Sequence, residues 1–508
     1  MSDRSRRPGS PPTPALAPQR FYIETWGCQM NELDSQRLAG QLLREGLLPA
    51  ARPADADVVL LNSCSVREKA EQKAYSRLGE YRLLKRQRPD LVLGFCGCVA
   101  QQEGEAALRR VPELDFVLGT GRVGELRHSI AAARDGSRTT AIGFPEDRPY
   151  DLDAISRDRS HKGMVTVIEG CDQRCTFCIV PQTRGRERNR PLEAIVAEVG
   201  SLVETGFVEI ELLGQTVNHW RGLGPAGEPY DFADLLDVVA SLPGVRRLRF
   251  VTSYPQHFDQ RMVSRVGAHP NICPYLHLPV QSGSDSVLRR MGRGYTAADY
   301  RRLAHSLRAA RPGLALSTDV IVGFPGESDD DFVATLSLIE ELRFACVFAF
   351  KYSPRPGTAA LRLDGDVDDA TADRRLQALL RLQARIQLEL NRELEGRRLE
   401  VLVTGHGREG GSRVGRTACH RLVHFAVPAP LAGKIEAGCL VEVRIDRGLP
   451  HCLVATLLEA PPLHAARESA DAAARSPRVI RSLPVVGLEV ARYHDLDQPP
   501  QPIAGRIT

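Results

Sequence analysis

The chain carries almost no surplus of charge: 67 Lys and Arg stand against 63 Asp and Glu, a formal net of +4. Bulk electrostatics therefore supplies no general affinity for nucleic acid, and any such contact has to come from a local patch. No apolar run approaches the roughly 18 residues that a membrane-spanning helix needs. The first twenty residues, Met1 to Arg20, hold Arg4, Arg6, Arg7 and five prolines but no apolar core of a secretory signal. The prolines and Asp3 also depart from the amphipathic pattern of a mitochondrial presequence, so 1–20 is expected to be a disordered tail. Cysteine is sparse, 12 in 508 residues, which excludes a disulfide scaffold. A reducing, cytoplasmic setting with no membrane partner is expected. With 43% hydrophobic residues the chain can bury ordinary cores, and its length suggests about three domains.

The few cysteines are not scattered. Cys171, Cys175 and Cys178 form a C-x3-C-x2-C run just past the apolar stretch Met164–Ile168. Three thiolates so placed can hold three irons of a cubane [4Fe-4S] cluster and leave the fourth iron open. A zinc site completed by His161 is the alternative, although zinc motifs usually pair C-x2-C units. The spacing resembles that of radical S-adenosylmethionine (SAM) enzymes. That resemblance implies SAM chelated at the open iron and cleaved by an electron from the cluster.

Upstream, three short β-rich runs each lead to a cysteine. Phe21–Thr25 leads to Gly27-Cys28, Asp57–Leu61 to Asn62-Ser-Cys64, and Leu91–Phe95 to Cys96-Gly-Cys98. Helix-like segments, Asn31–Leu43, Glu68–Leu84 and Gln102–Arg110, follow each run, so a parallel α/β sheet is expected. Parallel strands place their C-terminal ends on one edge, where ligands sit in open α/β sheets. Cys28, Cys64 and either Cys96 or Cys98 can therefore converge as a second three-thiolate site, unless they are simply packed as small apolar residues.

From about His161 to Leu376 strands and helices alternate again. The candidate strands are Met164–Ile168, Val208–Leu213, Arg247–Thr252, Tyr275–Val280, Ala315–Val322 and Ala345–Tyr352, with helices such as Pro191–Thr205 and Asp331–Leu342 between them. Six such units predict a partial barrel whose working face lies at the strand C-termini. Gly214 and Gln215, after the second strand, are candidates for SAM contact because glycine lets backbone approach a ligand, with a simple turn as the alternative. His277, Gln281, Ser317 and Asp319 read more readily as satisfied barrel residues. Arg184, Arg186, Arg188 and Arg190 either clamp RNA phosphates or form a solvated run paired with Glu187 and Glu193. Beyond a polar helical connector, Asp373–Glu395, short β-like runs at Leu399–Val403, Arg413–Arg416, Leu422–Phe425, Leu440–Ile445 and Cys452–Leu457 predict a small barrel.

Longer motifs sharpen the reading. Glu24-Thr-Trp-Gly-Cys28-Gln-Met-Asn-Glu-Leu-Asp-Ser35, Leu61-Asn-Ser-Cys64-Ser-Val-Arg-Glu68 and Gly97-Cys98-Val-Ala-Gln101 resemble the N-terminal domain of the methylthiotransferase family. The resemblance implies an auxiliary [4Fe-4S] cluster on Cys28, Cys64 and Cys98, with Cys96 a packed spare. Cys178-Ile-Val-Pro-Gln-Thr-Arg-Gly-Arg-Glu-Arg-Asn-Arg-Pro191, Leu213-Gly-Gln-Thr-Val-Asn218, Arg249-Phe-Val-Thr-Ser-Tyr-Pro255, His277-Leu-Pro-Val-Gln-Ser-Gly-Ser284 and Tyr352-Ser-Pro-Arg-Pro-Gly-Thr358 are similar to the branch acting on N6-isopentenyladenosine at tRNA position 37. Departures are mild: Trp26 stands where tyrosine is frequent and Asn189 where serine is.

From this resemblance follow an incomplete (β/α)6 barrel, two [4Fe-4S] clusters and S-adenosyl-L-methionine as cofactors, and tRNA as partner. One SAM would methylate sulfur at the auxiliary cluster. A second, cleaved at the Cys171, Cys175 and Cys178 cluster, would give the radical that removes hydrogen from adenine C2. Phe177 resembles the aromatic position near the SAM adenine. Gly415-Arg-Thr417 and Arg421-Leu-Val-His-Phe425 resemble the TRAM RNA-binding module, with Arg416 and Arg421 as RNA contacts. The expected units are 21–150, 157–390 and 393–460, followed by a tail over 461–508 of which Ile480–Val490 could dock on a neighbouring surface. A monomer is expected, with an electron donor and a sulfur source that the sequence does not identify. Rival readings are a sister enzyme acting on threonylcarbamoyladenosine in tRNA or on a ribosomal-protein aspartate, and a non-catalytic metal protein that binds RNA. The Gln29-Met-Asn31 and Thr252-Ser-Tyr-Pro255 wording disfavours the sister enzymes.

Overall fold

A computed structural model describes residues 19–65, 68–145, 155–157, 162–408, 410–459 and 480–484. His161, Val66, Arg67, the tail over 1–18 and the chain beyond 484 lie outside the described residues. The protein is α/β, with a parallel sheet first, six parallel strands of a partial barrel next, and a closed five-stranded barrel last.

The N-terminal strands Arg20–Gly27, Val58–Ser63, Val92–Gly97, Phe116–Leu118 and Thr139–Ala141 run side by side and parallel. Val58-Val-Leu-Leu61 is apolar without alternation because helices cover both faces of the sheet. One face packs Val59, Leu61 and Phe95 under Tyr81 of the helix Glu68–Gln87. The other packs Leu60, Val92 and Phe116 against Leu38 and Leu42 of the helix Gln29–Arg44. On its side away from Val58–Ser63, Arg20–Gly27 pairs with Leu48–Pro49 near its start and with Ile480–Pro484 along the rest. The described part of the C-terminal tail thus docks on this sheet.

In the central part, Lys162–Thr166, Glu209–Leu213 and Arg247–Phe250 form one parallel run. Tyr275–His277, Ala315–Val322 and Cys346–Lys351 form another. A parallel bridge from Leu248 to Ile272 joins the two runs into an open half-barrel. Val165, Leu212, Leu248, Leu276, Leu316 and their neighbours pack against the surrounding helices in one shared core. Two strands end earlier than their apolar wording suggests, at Phe250 and His277; past the first, Thr252 adopts left-handed backbone.

The helix Asp369–Arg392 packs on the last barrel strand and leads to the C-terminal barrel of Arg398–His406, Ser412–Thr417, Leu422–Ala426, Leu440–Gly448 and Leu453–Glu459. This barrel docks on the half-barrel through buried arginines. Arg247 donates to the Arg416 carbonyl at 3.0 Å and to Glu400 Oε1 at 2.9 Å, and Arg249 donates to the Thr417 carbonyl at 3.2 Å. His420 stacks on Tyr275 at 4.8 Å between ring centres.

Candidate functional site

Each N-terminal cysteine follows the last residue of a strand. The register pairs Trp26 with Ser63 and Ser63 with Gly97, so the chain leaves the sheet at the same level three times. At Gly97 φ is +94°, and a Cβ there would fall 2.2 Å from Asn62 Oδ1 and 2.5 Å from the Ser63 carbonyl. Only glycine permits that turn. It separates two cysteines of equal parity: Cys96 stays in the apolar core with Val92 and Leu118, whereas Cys98 opens the helix Cys98–Glu103 beside Cys28 and Cys64.

Within this triad Cys64 hydrogen-bonds to both partners, which raises its own thiol and lowers Cys28 and Cys98. The Arg184 guanidinium lowers Cys28 and Cys98 further, against the opposing effect of burial. Asn31 braces the group, accepting from Cys28 Sγ at 3.4 Å and donating to Asn62 Oδ1 at 3.2 Å. Cys28 also packs against a cluster of Met30, Leu33, Met164 and Leu213, which brings it onto the barrel strands Lys162–Thr166 and Glu209–Leu213.

The second group lies in the loop that Ile168–Glu169 and Arg188–Asn189 close as an antiparallel pair. Cys171 N donates to the Gly185 carbonyl at 3.1 Å, and Cys178 N to the Cys175 carbonyl at 3.1 Å. Burial raises the Cys171 thiol, and burial with the neighbouring Cys175 pushes Cys178 up to about 12. Protonated, buried thiols of this kind ionise on meeting a metal. Among the described residues no three His, Cys, Asp or Glu side chains surround one metal-ion position.

Gly214 and Gln215 hold this loop. Gln215 Oε1 accepts from Gly170 N at 2.6 Å. A Cβ on Gly214 would lie 2.4 Å from Ile168 Cγ2 and 2.7 Å from the Ile168 carbonyl, so its close approach is to the cysteine-bearing strand. Gly214→Ala is expected to destabilise the central domain by about 1–3 kcal/mol, as overpacking does, and to displace the loop. Iron content after reconstitution should fall selectively at the C-x3-C-x2-C group; a variant with full iron and unchanged stability would contradict this.

Two contacts escaped the sequence. Thr216 Oγ1 lies 3.4 Å from Cys171 Sγ. Arg293 donates to Cys175 Sγ at 3.3 Å, to Tyr295 at 2.8 Å and to the Pro279 carbonyl at 3.1 Å, with its guanidinium over the Tyr254 ring. Thr216 adjoins a named residue, but nothing in the wording around Arg293 links it to a cysteine 118 positions away. Phe177 packs edge-on to Phe324 at 6.2 Å in a cluster with Val287 and Met291. His277 pairs with Ser317 and Asp319 inside the barrel.

The arginine run is corrected by the structure. Arg190 is fully buried on Glu198, and Arg184 is buried on Asp34, so neither reaches a phosphate. Arg188 pairs with Glu169, and Arg186 alone of the four is open, its side chain 93% exposed. Glu187 meets His219 Nδ1 at 2.5 Å. The expected RNA contacts Arg416 and Arg421 are half-buried against the half-barrel. Arg421 donates across the seam to the Ala345 carbonyl, whereas Arg416 donates to the His420 carbonyl within its own barrel.

His219 stacks on His257 at 4.3 Å, and His257 meets Gln173 of the cysteine loop at 2.9 Å. Burial, then the charges of His219 and Arg221, lower His257 to about 4; burial and nearby arginines also hold His420 low. Between pH 6.5 and about 4 the unfolded chain therefore binds more protons than the folded one. Stability from His257 is complete above about pH 6.5 and falls as pH drops toward 4. Urea midpoints measured across this range should decline, and His257→Gln should flatten the decline. An unchanged slope would remove His257 as a cause.

A family model described as "Radical SAM superfamily" matches residues 165–339, and one described as "Uncharacterized protein family UPF0004" matches residues 20–119. Three relatives carry the name tRNA-2-methylthio-N(6)-dimethylallyladenosine synthase. The relative from Thiobacillus denitrificans is 44% identical over 88% of this chain and 100% of its own length. That from Solibacter usitatus is 41% identical over 87% and 98%, and that from Bordetella petrii 44% identical over 87% and 92%.

Proposed function

The chain belongs to the family of tRNA-2-methylthio-N(6)-dimethylallyladenosine synthases, and from that premise we propose that it is a tRNA methylthiotransferase converting C2–H of N6-isopentenyladenosine at position 37 to C2–SCH3. The observation that carries the reading is the pair of three-thiol groups, one on the parallel sheet and one in the barrel loop, joined by the short segment from Cys178 to Gly185. Cys171, Cys175 and Cys178 would hold one [4Fe-4S] cluster, and Cys28, Cys64 and Cys98 a second. When bound, one cluster with SAM would supply a radical strong enough to take hydrogen from an aromatic carbon, and the other a place where sulfur is methylated before insertion.

The protein's part is placement. Gln215 fixes the backbone at Gly170, Thr216 supports Cys171, and Arg293 fixes Cys175 from the far side of the barrel. Thr176 N donates to the Met291 carbonyl at 2.9 Å, and Ala360 N to the Thr176 carbonyl at 2.8 Å, so the loop is clamped from two further loops. No helix among the described residues is long and apolar enough to cross a membrane.

The test is anaerobically reconstituted protein given reductant, SAM and tRNA carrying isopentenyladenosine, with nucleosides read by mass spectrometry. A methylthio product is expected. 5′-Deoxyadenosine without that product would overturn the substrate, and neither would overturn the enzyme.

A further inference from the structure

Arg184 belongs by sequence to the barrel loop but lies by position in the N-terminal cysteine site. It ends the short helix Val180–Arg184, which begins two residues after Cys178. Its side chain is 8% exposed, and Nη1 stands 2.7 Å from Asp34 Oδ2, itself on the helix that Cys28 caps. The residues on either side are pinned from opposite domains. The Thr183 carbonyl accepts from Thr120 Oγ1 of the N-terminal part at 2.5 Å, and the Gly185 carbonyl accepts from Cys171 N. Arg184 is therefore held at a fixed place beside Cys28 and Cys98.

A guanidinium carries five N–H donors and one positive charge. Here Nη2 is buried and closes no hydrogen bond, while the guanidinium as a whole faces the Cys98 sulfur. An unsatisfied buried donor is costly, and more so on a charged group. The nearby groups able to accept are the Cys28 and Cys98 sulfurs and whatever they bind. One carboxylate, Asp34, neutralises the arginine only in part, since it also lies 3.5 Å from Arg37. A reduced iron-sulfur cluster is one charge more negative than the oxidised one, and hydrogen bonds and charge near its sulfurs set its potential.

Resting on the reading that Cys28, Cys64 and Cys98 hold a cluster, we propose that Arg184 is a positioning residue for that cluster: its free Nη2 donates to a cluster sulfur and its charge stabilises the reduced form. The same side chain ties the auxiliary site to the SAM-cleaving loop, because Gly185 fixes Cys171. Asp34 orients the guanidinium and opposes its charge.

The full chain carrying Cys171→Ala, Cys175→Ala and Cys178→Ala, reconstituted with iron and sulfide, isolates the auxiliary cluster. Poised redox titration followed by electron paramagnetic resonance reads its midpoint. Arg184→Gln is expected to lower the reduced-to-oxidised ratio at fixed poise at least tenfold, a shift of about 59 mV for one electron. Arg184→Lys, keeping the charge, should recover most of it. Asp34→Asn should shift the midpoint the opposite way, which a merely structural clamp would not do; it also decides the matter if Arg184→Gln fails to load iron. An unmoved midpoint at full iron content, or shifts of the same sign in Arg184→Gln and Asp34→Asn, overturns the proposal. If the triple-alanine chain binds no iron, the auxiliary-cluster reading itself fails, a different outcome from an unmoved potential.

Discussion

Reconstituted Cys175→Ala protein is expected to release no 5′-deoxyadenosine above a reductant blank while keeping about half of the iron, one of two four-iron clusters. Cys175 is the thiol that Arg293 holds at 3.3 Å, midway between Cys171 and Cys178 in the clamped loop. Removing it leaves two protein ligands where three are needed to present a single open iron. Cys28→Ala should do the reverse: SAM cleavage survives, the methylthio nucleoside disappears, and the other half of the iron is retained. The two variants divide the chemistry because the groups lie on different domains, so a vacancy in one leaves the thiols of the other packed as before. Detecting 5′-deoxyadenosine from Cys175→Ala would sink the assignment of that loop. Loss of cleavage in Cys28→Ala would show that the sites are not separable.

Arg190→Ala should be the most destabilising of the arginine variants, by about 3–5 kcal/mol, as is typical when one partner of a buried ion pair is removed. Its side chain is fully buried. The guanidinium pairs with Glu198 and donates to the Thr166 carbonyl at 3.1 Å and the Ala194 carbonyl at 2.8 Å. Its own carbonyl accepts from Trp220 Nε1 at 2.9 Å, and that indole is itself fully buried. Truncation would leave Glu198 buried with Arg157 as a partner and remove a donor from the Thr166 and Ala194 carbonyls. Urea denaturation of the iron-free chain, followed at the transition of the central domain, measures the loss. Arg186→Ala, at an open position, should stay within about 0.5 kcal/mol. If Arg186 meets a phosphate, its loss should weaken tRNA binding and reduce the salt slope by about 1. An Arg190→Ala chain of normal stability with weakened tRNA binding would restore the phosphate-clamp reading for that residue.

Much of this was legible in the chain because the relevant signals are local. Apolar runs ending in Gly-Cys or Ser-Cys announce strands that deliver a thiol at their tips, and eight residues suffice to write C-x3-C-x2-C. Alternation of such strands with helices fixes a parallel sheet and a half-barrel, since parallel strands need crossovers. The arginines were misread because local wording does not reveal what lies across a domain seam. A run of four basic residues within seven positions looks like a solvated face. Yet successive side chains of an irregular segment point in different directions, and two of these four enter the interior.

By itself, then, the sequence determined the class of each element, the six cysteines that travel together, the spare position of Cys96 once the motif was read, and the family. Tertiary structure alone decided which charges are buried and what they serve. Asp34 meets Arg184 across 150 positions, Arg293 meets Cys175 across 118, and Arg421 turns into the seam with the half-barrel. The reason is physical: strand and ligand patterns are set by neighbours a few residues apart. The partner of a buried charge is chosen by the packing of whole domains, where leaving it unpaired costs more than any local preference can offset.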